Sequence, residues 1–498
     1  MKKIVLFIPF FLFALDLNYL LNKPKSYVRD FYLTEFMKET NSIVLAYKAY
    51  NALYKKRPFL HLRILSKKSP IFKEIYRCVN VKKEYLREVD ISCILNNGLS
   101  LRTISKLNNS DLLYLYKNLK DGKVKSAVFS FLNNDFSNIF KDRDLGYYFI
   151  LNYPNKKIDQ EIKDFSIFED KYFYQFVKSA VLNDLVLIRM SLSKNLNYKR
   201  MNDKVKWWLF LNEMKFKNYE KAKKILKSIK KKTSKEYFWL WKLTKKDFYL
   251  NKLLNNPRIN FYTLFAHEEK NIPFDIKTNI VFNSVKKPKY DQTNPWDVLK
   301  FWDEFRKRKD LFKFAKELDS NKSIALKALV LDKAYHYRKN IFITPNFYDD
   351  KNISFKAFVY AIARQESRFI PASVSRSYAL GTMQMMPFLV RSMKGDIFNQ
   401  FDYKENIYLG VKHLKWLFNK LKNPLMVSYA YNGGIGFVKR KVLPKFKYKG
   451  KFEPFLSMEL VKYDESREYG KKVIANYIIY SHIFGDKNIT LHKLLNIN

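Results

Sequence analysis

Tyr219-Glu220-Lys221-Ala222-Lys223-Lys224-Ile225-Leu226-Lys227-Ser228-Ile229 is representative of most of this chain. Its apolar residues Tyr219, Ala222, Ile225, Leu226 and Ile229 recur every three or four positions, which keeps them on one face of a helix with lysines between them. Similar patterns surround 112–119, 181–192 and 302–318. From about residue 27 to 325 the sequence therefore reads as successive amphipathic helices separated by short polar breaks. Only 12 Gly and 15 Pro occur in 498 residues, too few turn formers for the many short strands of an all-β protein. The spacing predicts a predominantly all-α chain whose helix hairpins bury their apolar faces against their neighbours as an irregular superhelical solenoid. The pattern is interrupted near Pro345 and Asp349-Asp350, and a region of different character follows. The main boundary is expected between about 325 and 350, with a helical domain over 16–335 and a second domain over 336–498.

Composition narrows the function less than it narrows the fold. Lys and Arg number 94 against 47 Asp and Glu, a net charge of +47, which favours polyanionic partners in general. The basic residues are scattered, with no basic tail or Arg-rich segment, and Lys is enriched together with Asn, Ile, Tyr and Phe as a general compositional bias would produce. Charge alone names no partner, and no nucleic-acid partner is expected. Lys2-Lys3, the apolar run Ile4–Leu15 and Asp16 have the layout of a secretory signal peptide ending near residue 15. The run is shorter than the roughly 20 apolar residues that a membrane-spanning helix needs. A disulfide framework or a cysteine zinc site cannot be built from Cys78 and Cys93 alone, although the two could pair in an oxidising compartment. His267-Glu268-Glu269 begins like a zinc-protease motif, but no second His follows four residues after the first, so no metal and no cofactor are expected. Trp207, Trp208, Trp239 and Trp241 lie in helical context and read as core residues.

The segment Ser354–Glu366 points to chemistry. Phe355, Phe358, Val359 and Ile362 share a helical face, with Ser354 placed to cap its start. Glu366 lies eleven positions after Phe355 and, at about 100° per residue, returns to nearly the same angle. A carboxyl on an apolar face is desolvated, which raises its pKa and suits it to protonate a leaving glycosidic oxygen. On this helix alone, a helix-end salt bridge from Glu366 to Arg364, Arg368 or another cation is the better explanation of the residue.

Four motifs in order over about 110 residues remove that ambiguity: Ala361-Ile362-Ala363-Arg364-Gln365-Glu366-Ser367, Ala379-Leu380-Gly381-Thr382-Met383-Gln384-Met385-Met386-Pro387, Ala430-Tyr431-Asn432-Gly433-Gly434 and Glu465-Ser466-Arg467-Glu468-Tyr469. Together they resemble the catalytic domain of the soluble lytic transglycosylases, a family with a lysozyme-like fold, over roughly 340–485. The preceding helical region is similar to the family only in architecture. The resemblance implies that Glu366 is the catalytic acid and base, that Tyr431 orients it by a hydrogen bond, and that Ser367, Gly381, Met383, Gln384, Asn432 and Glu465 contribute to substrate binding. In chemical terms, Gly381 permits close backbone approach, Gln384 carries donors and an acceptor for an acetylated sugar, and Met383 offers an apolar wall. Pro424 suits a helix start and Gly433-Gly434 its end. Glu465 either contacts a peptide stem or braces Arg467. Thr382, Tyr378 and Gly433 depart from the family pattern without removing a reacting group.

The resemblance further implies a periplasmic enzyme whose partner is the peptidoglycan glycan strand, with cell-wall assembly proteins as further candidates. It would cleave between N-acetylmuramic acid and N-acetylglucosamine without hydrolysis and leave anhydromuramoyl ends. Hydrolases of this kind need a second carboxylate, and Asp396, Asp402 and Glu405 match no motif position. The alternatives are a hydrolytic muramidase and a non-catalytic glycan-binding scaffold.

Overall fold

A computed structural model describes residues 16–135, 171–276 and 287–496, together with Leu145, Gly146 and Phe149. The expected signal peptide lies outside the described residues. The described structure is all-α, and its β-type pairings are isolated bridges, among them Val374 with Leu380 and Leu380 with Met385. The chain divides into two compact units, Met1–Lys231 and Lys232–Asn498.

The first unit is built of helix hairpins, among them Tyr27–Glu39 with Ile43–Ala52, Pro58–Leu65 with Pro70–Val79, and Asn109–Asn118 with Lys123–Leu132. Asp203–Lys215 packs on both Lys171–Leu182 and Tyr219–Lys227. In Tyr219–Lys227 the buried residues are Ala222, Ile225 and Leu226, the face that the spacing predicts. The stretch 181–192 is not one helix, because Asn183-Asp184-Leu185 breaks it and Asp184 takes a left-handed backbone with φ +58°. Trp207 and Trp208 are core residues of this unit. Cys78 and Cys93 are joined by a disulfide, with Cα atoms 4.9 Å apart, which settles a pairing the sequence left open.

The second unit is organised around one long helix. In chain order its site-bearing helices are α1 (Ser234–Thr244), α2 (Phe261–Glu269), α3 (Ile353–Ser367), α4 (Tyr403–Leu421), α5 (Pro424–Gly433) and α6 (Asp464–Ile483). Helix α6 packs against α2, α3 and α5. Gly470 makes the α5–α6 contact close: a Cβ there would sit 2.2 Å from the Tyr429 ring. The expected boundary near 325–350 falls inside this unit, because α1 and α2 share its core. Phe238 and Phe265 stack edge-on against Phe455, at 4.8 and 5.4 Å between ring centroids. Buried Tyr262 donates a 2.6 Å hydrogen bond to Glu459, which also pairs with buried Lys471 at 3.1 Å. Trp239 and Trp241 lie in the same core. Glu268, in the zinc-protease-like sequence, instead accepts from the Leu491 and His492 backbone and tethers the helix Leu491–Leu494.

Helix α3 differs from a one-sided amphipathic helix. Every residue from Ala357 to Ile362 is buried, so α3 runs through the core rather than over it. Its cap is Asn352, whose side chain accepts from Phe355 N at 2.9 Å. Ser354, the expected cap, sits inside the first turn and hydrogen-bonds Tyr477. Helix α5 starts at Pro424 behind an Asn423 cap and ends at Gly434, whose φ of +83° an L side chain rarely adopts.

Candidate active site

Glu366 stands in the last turn of α3, where the helix stops because Arg368 and Phe369 both turn left-handed, with φ of +53° and +68°. Its side chain is half-buried. Burial pushes the carboxyl up to about 7; the Tyr469 hydroxyl pulls the other way, and the charge of Glu465 adds to the rise. The partial negative charge of the helix C-terminus disfavours a carboxylate there as well. The salt bridges that could have explained Glu366 otherwise do not form. Arg368 pairs with Asp332 at 2.6 Å, and Arg364 lies over the Phe342 ring, 3.7 Å from its centroid.

The residue that holds Glu366 is Tyr469, buried on α6, whose hydroxyl donates to Oε1 at 2.6 Å. This corrects the role expected for Tyr431. Tyr431, on α5, donates instead to the Met383 carbonyl at 2.8 Å; burial raises its pKa, and the nearby Glu366 charge adds to the rise. It supports the floor of the site rather than the carboxyl itself. Tyr469 was visible as the last residue of the fourth motif, but a motif match does not say which of two tyrosines reaches an acid on another helix.

The loop 373–386 forms the adjoining wall, and its shape is set from below. Fully buried Asn406 on α4 accepts from Met383 N at 2.7 Å and donates to Leu380 O at 3.0 Å. Gly381 has φ +80°, and a Cβ there would lie 2.3 Å from the Asn406 side chain and from the Gln400 carbonyl. The close approach that Gly381 permits is thus made by the protein's own framework. Nothing in the local sequence marks Asn406, whose role depends on a loop more than twenty residues earlier in the chain.

Two expected sugar contacts are core residues instead. Met383 is fully buried against Gly410, and only its backbone serves the site. Ser367 is buried and donates to the Thr382 carbonyl at 2.8 Å, tying the end of α3 to the loop. Thr382 is itself fully buried, and its hydroxyl has no hydrogen-bond partner among the described residues.

Gln384 remains accessible, with a left-handed backbone at φ +48°. Its amide nitrogen donates to the carbonyls of Gly381 and Ser373 at 2.8 and 3.1 Å, which leaves its side-chain oxygen as an acceptor. Asn432 accepts from Ser466 at 2.7 Å and donates to Glu465 at 3.3 Å, joining the end of α5 to the start of α6. Glu465 is exposed, and Arg467 pairs with Asp464, so the brace on Arg467 comes from the neighbouring acid. Gly433 avoids a clash with Phe437, whose ring a Cβ would meet at 2.6 Å. Asp396, Asp402 and Glu405 are used by backbone caps within 396–405. Beside Tyr431 lie the His413 ring, 5.6 Å away, and exposed Trp416, 5.7 Å further on.

A carboxyl pushed up to about 7 with a single tyrosine hydroxyl on it can act as an acid–base group on this all-α domain. Residues 345–452 match the Transglycosylase SLT domain family. The chain is related to the soluble lytic murein transglycosylase of Salmonella typhimurium, with 31% identity over 148 residues, 28% of this chain and 22% of that protein. A putative soluble lytic murein transglycosylase of Haemophilus influenzae is 31% identical over 182 residues, 33% of this chain and 29% of that protein. The matched stretches thus span less than a third of these relatives' own length. Among solved structures, lytic transglycosylase Slt from Pseudomonas aeruginosa, an inactive mutant, superposes with a TM-score of 0.49 at 13% identity, over 94% of this chain and 80% of that one. The 70 kDa soluble lytic transglycosylase of Escherichia coli gives 0.42 at 15% identity, over 96% and 92%.

Proposed function

We propose that this protein is a periplasmic lytic transglycosylase that cleaves the bond between N-acetylmuramic acid and N-acetylglucosamine in peptidoglycan, with the chemistry carried by 336–498. The observation that carries the reading is Glu366, half-buried, pushed up to about 7 and held by one tyrosine hydroxyl. A carboxyl titrating there is protonated often enough to act as an acid and, once deprotonated, is a competent base.

In this mechanism Glu366 gives its proton to the bridging oxygen as the bond from that oxygen to the muramic C1 breaks. The N-acetyl carbonyl of the muramic residue stabilises the positive charge developing at C1. The Glu366 carboxylate then takes the proton of the C6 hydroxyl while O6 bonds to C1, which closes the anhydro ring and returns Glu366 to its starting form. Water is not consumed, and one carboxyl serves both steps. Gln384, through its free side-chain oxygen, and Asn432 are the sugar contacts. Tyr431 supports the Met383 backbone, and the His413–Trp416 pair extends the cleft as a surface for sugar rings. Glu465, exposed beside Asn432, is placed to meet a cationic group of a peptide stem. The periplasmic location is supported by the signal-like segment 1–15 and by the Cys78–Cys93 disulfide, which persists in oxidising compartments.

The test is mass spectrometry of the products released from purified peptidoglycan by the wild-type chain and by Glu366→Gln. Anhydromuramoyl products that disappear in the variant are expected. Reducing-end products would make the protein a muramidase, and no release by either protein would leave a glycan-binding scaffold.

A further inference from the structure

Three helices of the first unit, Ile43–Ala52, Pro58–Leu65 and Pro70–Val79, differ in surface character from the rest of the chain. The stretch 43–79 carries nine Lys or Arg against a single acid, Glu74, whereas the whole chain has 94 against 47. Seven of the 24 exposed large hydrophobic side chains among the described residues also fall within it, including Val44 and Ile71, both 72% exposed. A cluster of this kind, rimmed by charge, marks a surface that a partner covers.

The exposed side chains form one face. Helices Ile43–Ala52 and Pro70–Val79 meet where the Tyr47 ring packs on Phe72, with 5.2 Å between centroids. Val44 lies one turn before exposed Tyr47, and exposed Ile71 and Ile75 lie one turn apart beside Phe72. Lys68 brings the ends of the two helices together. Its ammonium donates to the Lys38 and Thr40 carbonyls at 3.1 and 2.6 Å, which holds the start of Pro70–Val79 against the turn that precedes Val44. Lys48, one turn after Val44, and Lys67, next to this tie, are exposed and make no ion pair among the described residues.

Helix Pro70–Val79 is suited to an interface rather than to a core. Its apolar residues Ile71, Phe72, Ile75, Tyr76 and Val79 recur at helical spacing, yet no residue of the helix is buried. Phe72 is engaged by Tyr47, and Ile71 and Ile75 are left facing water. The last turn is tied to the helix Ile91–Asn97 by the Cys78–Cys93 disulfide, so the outer face is presented in a fixed position. The first helix of the unit, Leu17–Leu21, packs on both Tyr27–Glu39 and Ile43–Ala52, so the signal-like segment 1–15 joins the fold at this same group of helices.

We propose that this face binds the surface of an anionic phospholipid bilayer, with Val44, Tyr47, Ile71 and Ile75 entering the headgroup–acyl boundary and Lys48 and Lys67 meeting lipid phosphates. The two halves of the face call for different things, hydrocarbon for the isoleucines and anions for the lysines. A hydrated glycan offers no hydrocarbon, whereas an anionic bilayer presents phosphates at the level of the lysines and acyl chains just beneath them. The excess of nine cations over one acid is the charge complement of such a surface. The contact is peripheral: no helix among the described residues is long and apolar enough to cross a membrane.

The test is co-sedimentation of the mature chain, starting at Asp16 so that the apolar run Ile4–Leu15 cannot itself insert, with vesicles of phosphatidylglycerol mixed into phosphatidylcholine. Binding is expected for the wild type, weaker on phosphatidylcholine alone and reduced in high salt. Ile71→Ser combined with Ile75→Ser should weaken it about tenfold with no change in charge. Lys48→Gln combined with Lys67→Gln should weaken it about tenfold on the anionic vesicles only. All four residues are exposed, and unchanged thermal midpoints check that the variants are folded. Val44→Ser alone, expected to lose a smaller part of the binding, provides a further variant. No binding by the wild type overturns the proposal. So does binding that the isoleucine pair leaves unchanged, since a chain of net charge +47 would then be adsorbing by charge alone. A wild type that self-associates without lipid, becomes monomeric in the isoleucine variant and ignores vesicles would also overturn it, by making the face a contact between copies. None of these results depends on whether the glycan is cleaved.

Discussion

Replacing Tyr469 by Phe removes one hydroxyl and leaves the ring that fills the α6 core. In the wild type that hydroxyl donates to Glu366 Oε1 at 2.6 Å and so stabilises the carboxylate over the carboxylic acid. Hydrogen bonds to charged groups contribute about 1.5–3 kcal/mol, and the partial solvent access of Glu366 argues for the lower end. At 1.36 kcal/mol per tenfold change in a proton equilibrium, the titration of Glu366 should rise by about one pH unit from its wild-type value of about 7. The assay is the pH dependence of anhydromuramoyl product formation on a soluble glycan. Wild-type activity is expected to fall above about pH 7 as Glu366 loses the proton it donates. In Tyr469→Phe that limb should move about one unit to higher pH, with an overall rate about tenfold lower because the carboxyl is no longer aimed. A limb that stays in place, or moves to lower pH, would refute the coupling between the tyrosine and the proton.

Glu465→Gln should shift the same limb the other way, by a few tenths of a pH unit at low salt and less at high salt, because it removes a like charge from an exposed position. Glu366 titrates higher folded than unfolded, so its effect on stability is most favourable below its ordinary value of 4.5 and is lost as pH rises through about 7. Glu366→Gln should therefore stabilise the second unit by about 1–3 kcal/mol at pH 8 and by little near pH 4.5, read as thermal midpoints at the two pH values. Gly381→Ala must place a Cβ 2.3 Å from Asn406 and the Gln400 carbonyl at a positive φ, and a loss of about 2–4 kcal/mol in denaturant unfolding is expected. Reducing Cys78–Cys93, which closes a loop across 15 positions, should cost the first unit about 3 kcal/mol, visible as a lower urea midpoint with reductant.

Periodicity alone was enough to establish that this chain is helical, because the face of Tyr219–Lys227 is written into residues three and four apart. The same local logic placed Glu366 on an apolar helix face, although the four motifs were needed to single it out over a salt bridge, and it marked the ends of α5 at Pro424 and Gly434. Short motifs then marked the loop and helices that would join it. What the sequence could not decide is which side chains meet across those elements. Tyr469 and Tyr431 are equally plausible partners for an acid until the close packing of α5 and α6, permitted by Gly470, brings one to Glu366 and turns the other to a carbonyl. Met383 and Ser367 look like contact residues in a motif, yet burial assigns them to the core. Asn406 has no local signal because its hydrogen bonds span more than twenty residues, and the extent of the second unit followed from aromatic contacts between α1, α2 and Phe455 that no local pattern encodes. Helix formation is a matter of neighbours in sequence; the partner of a buried polar group is decided by neighbours in space.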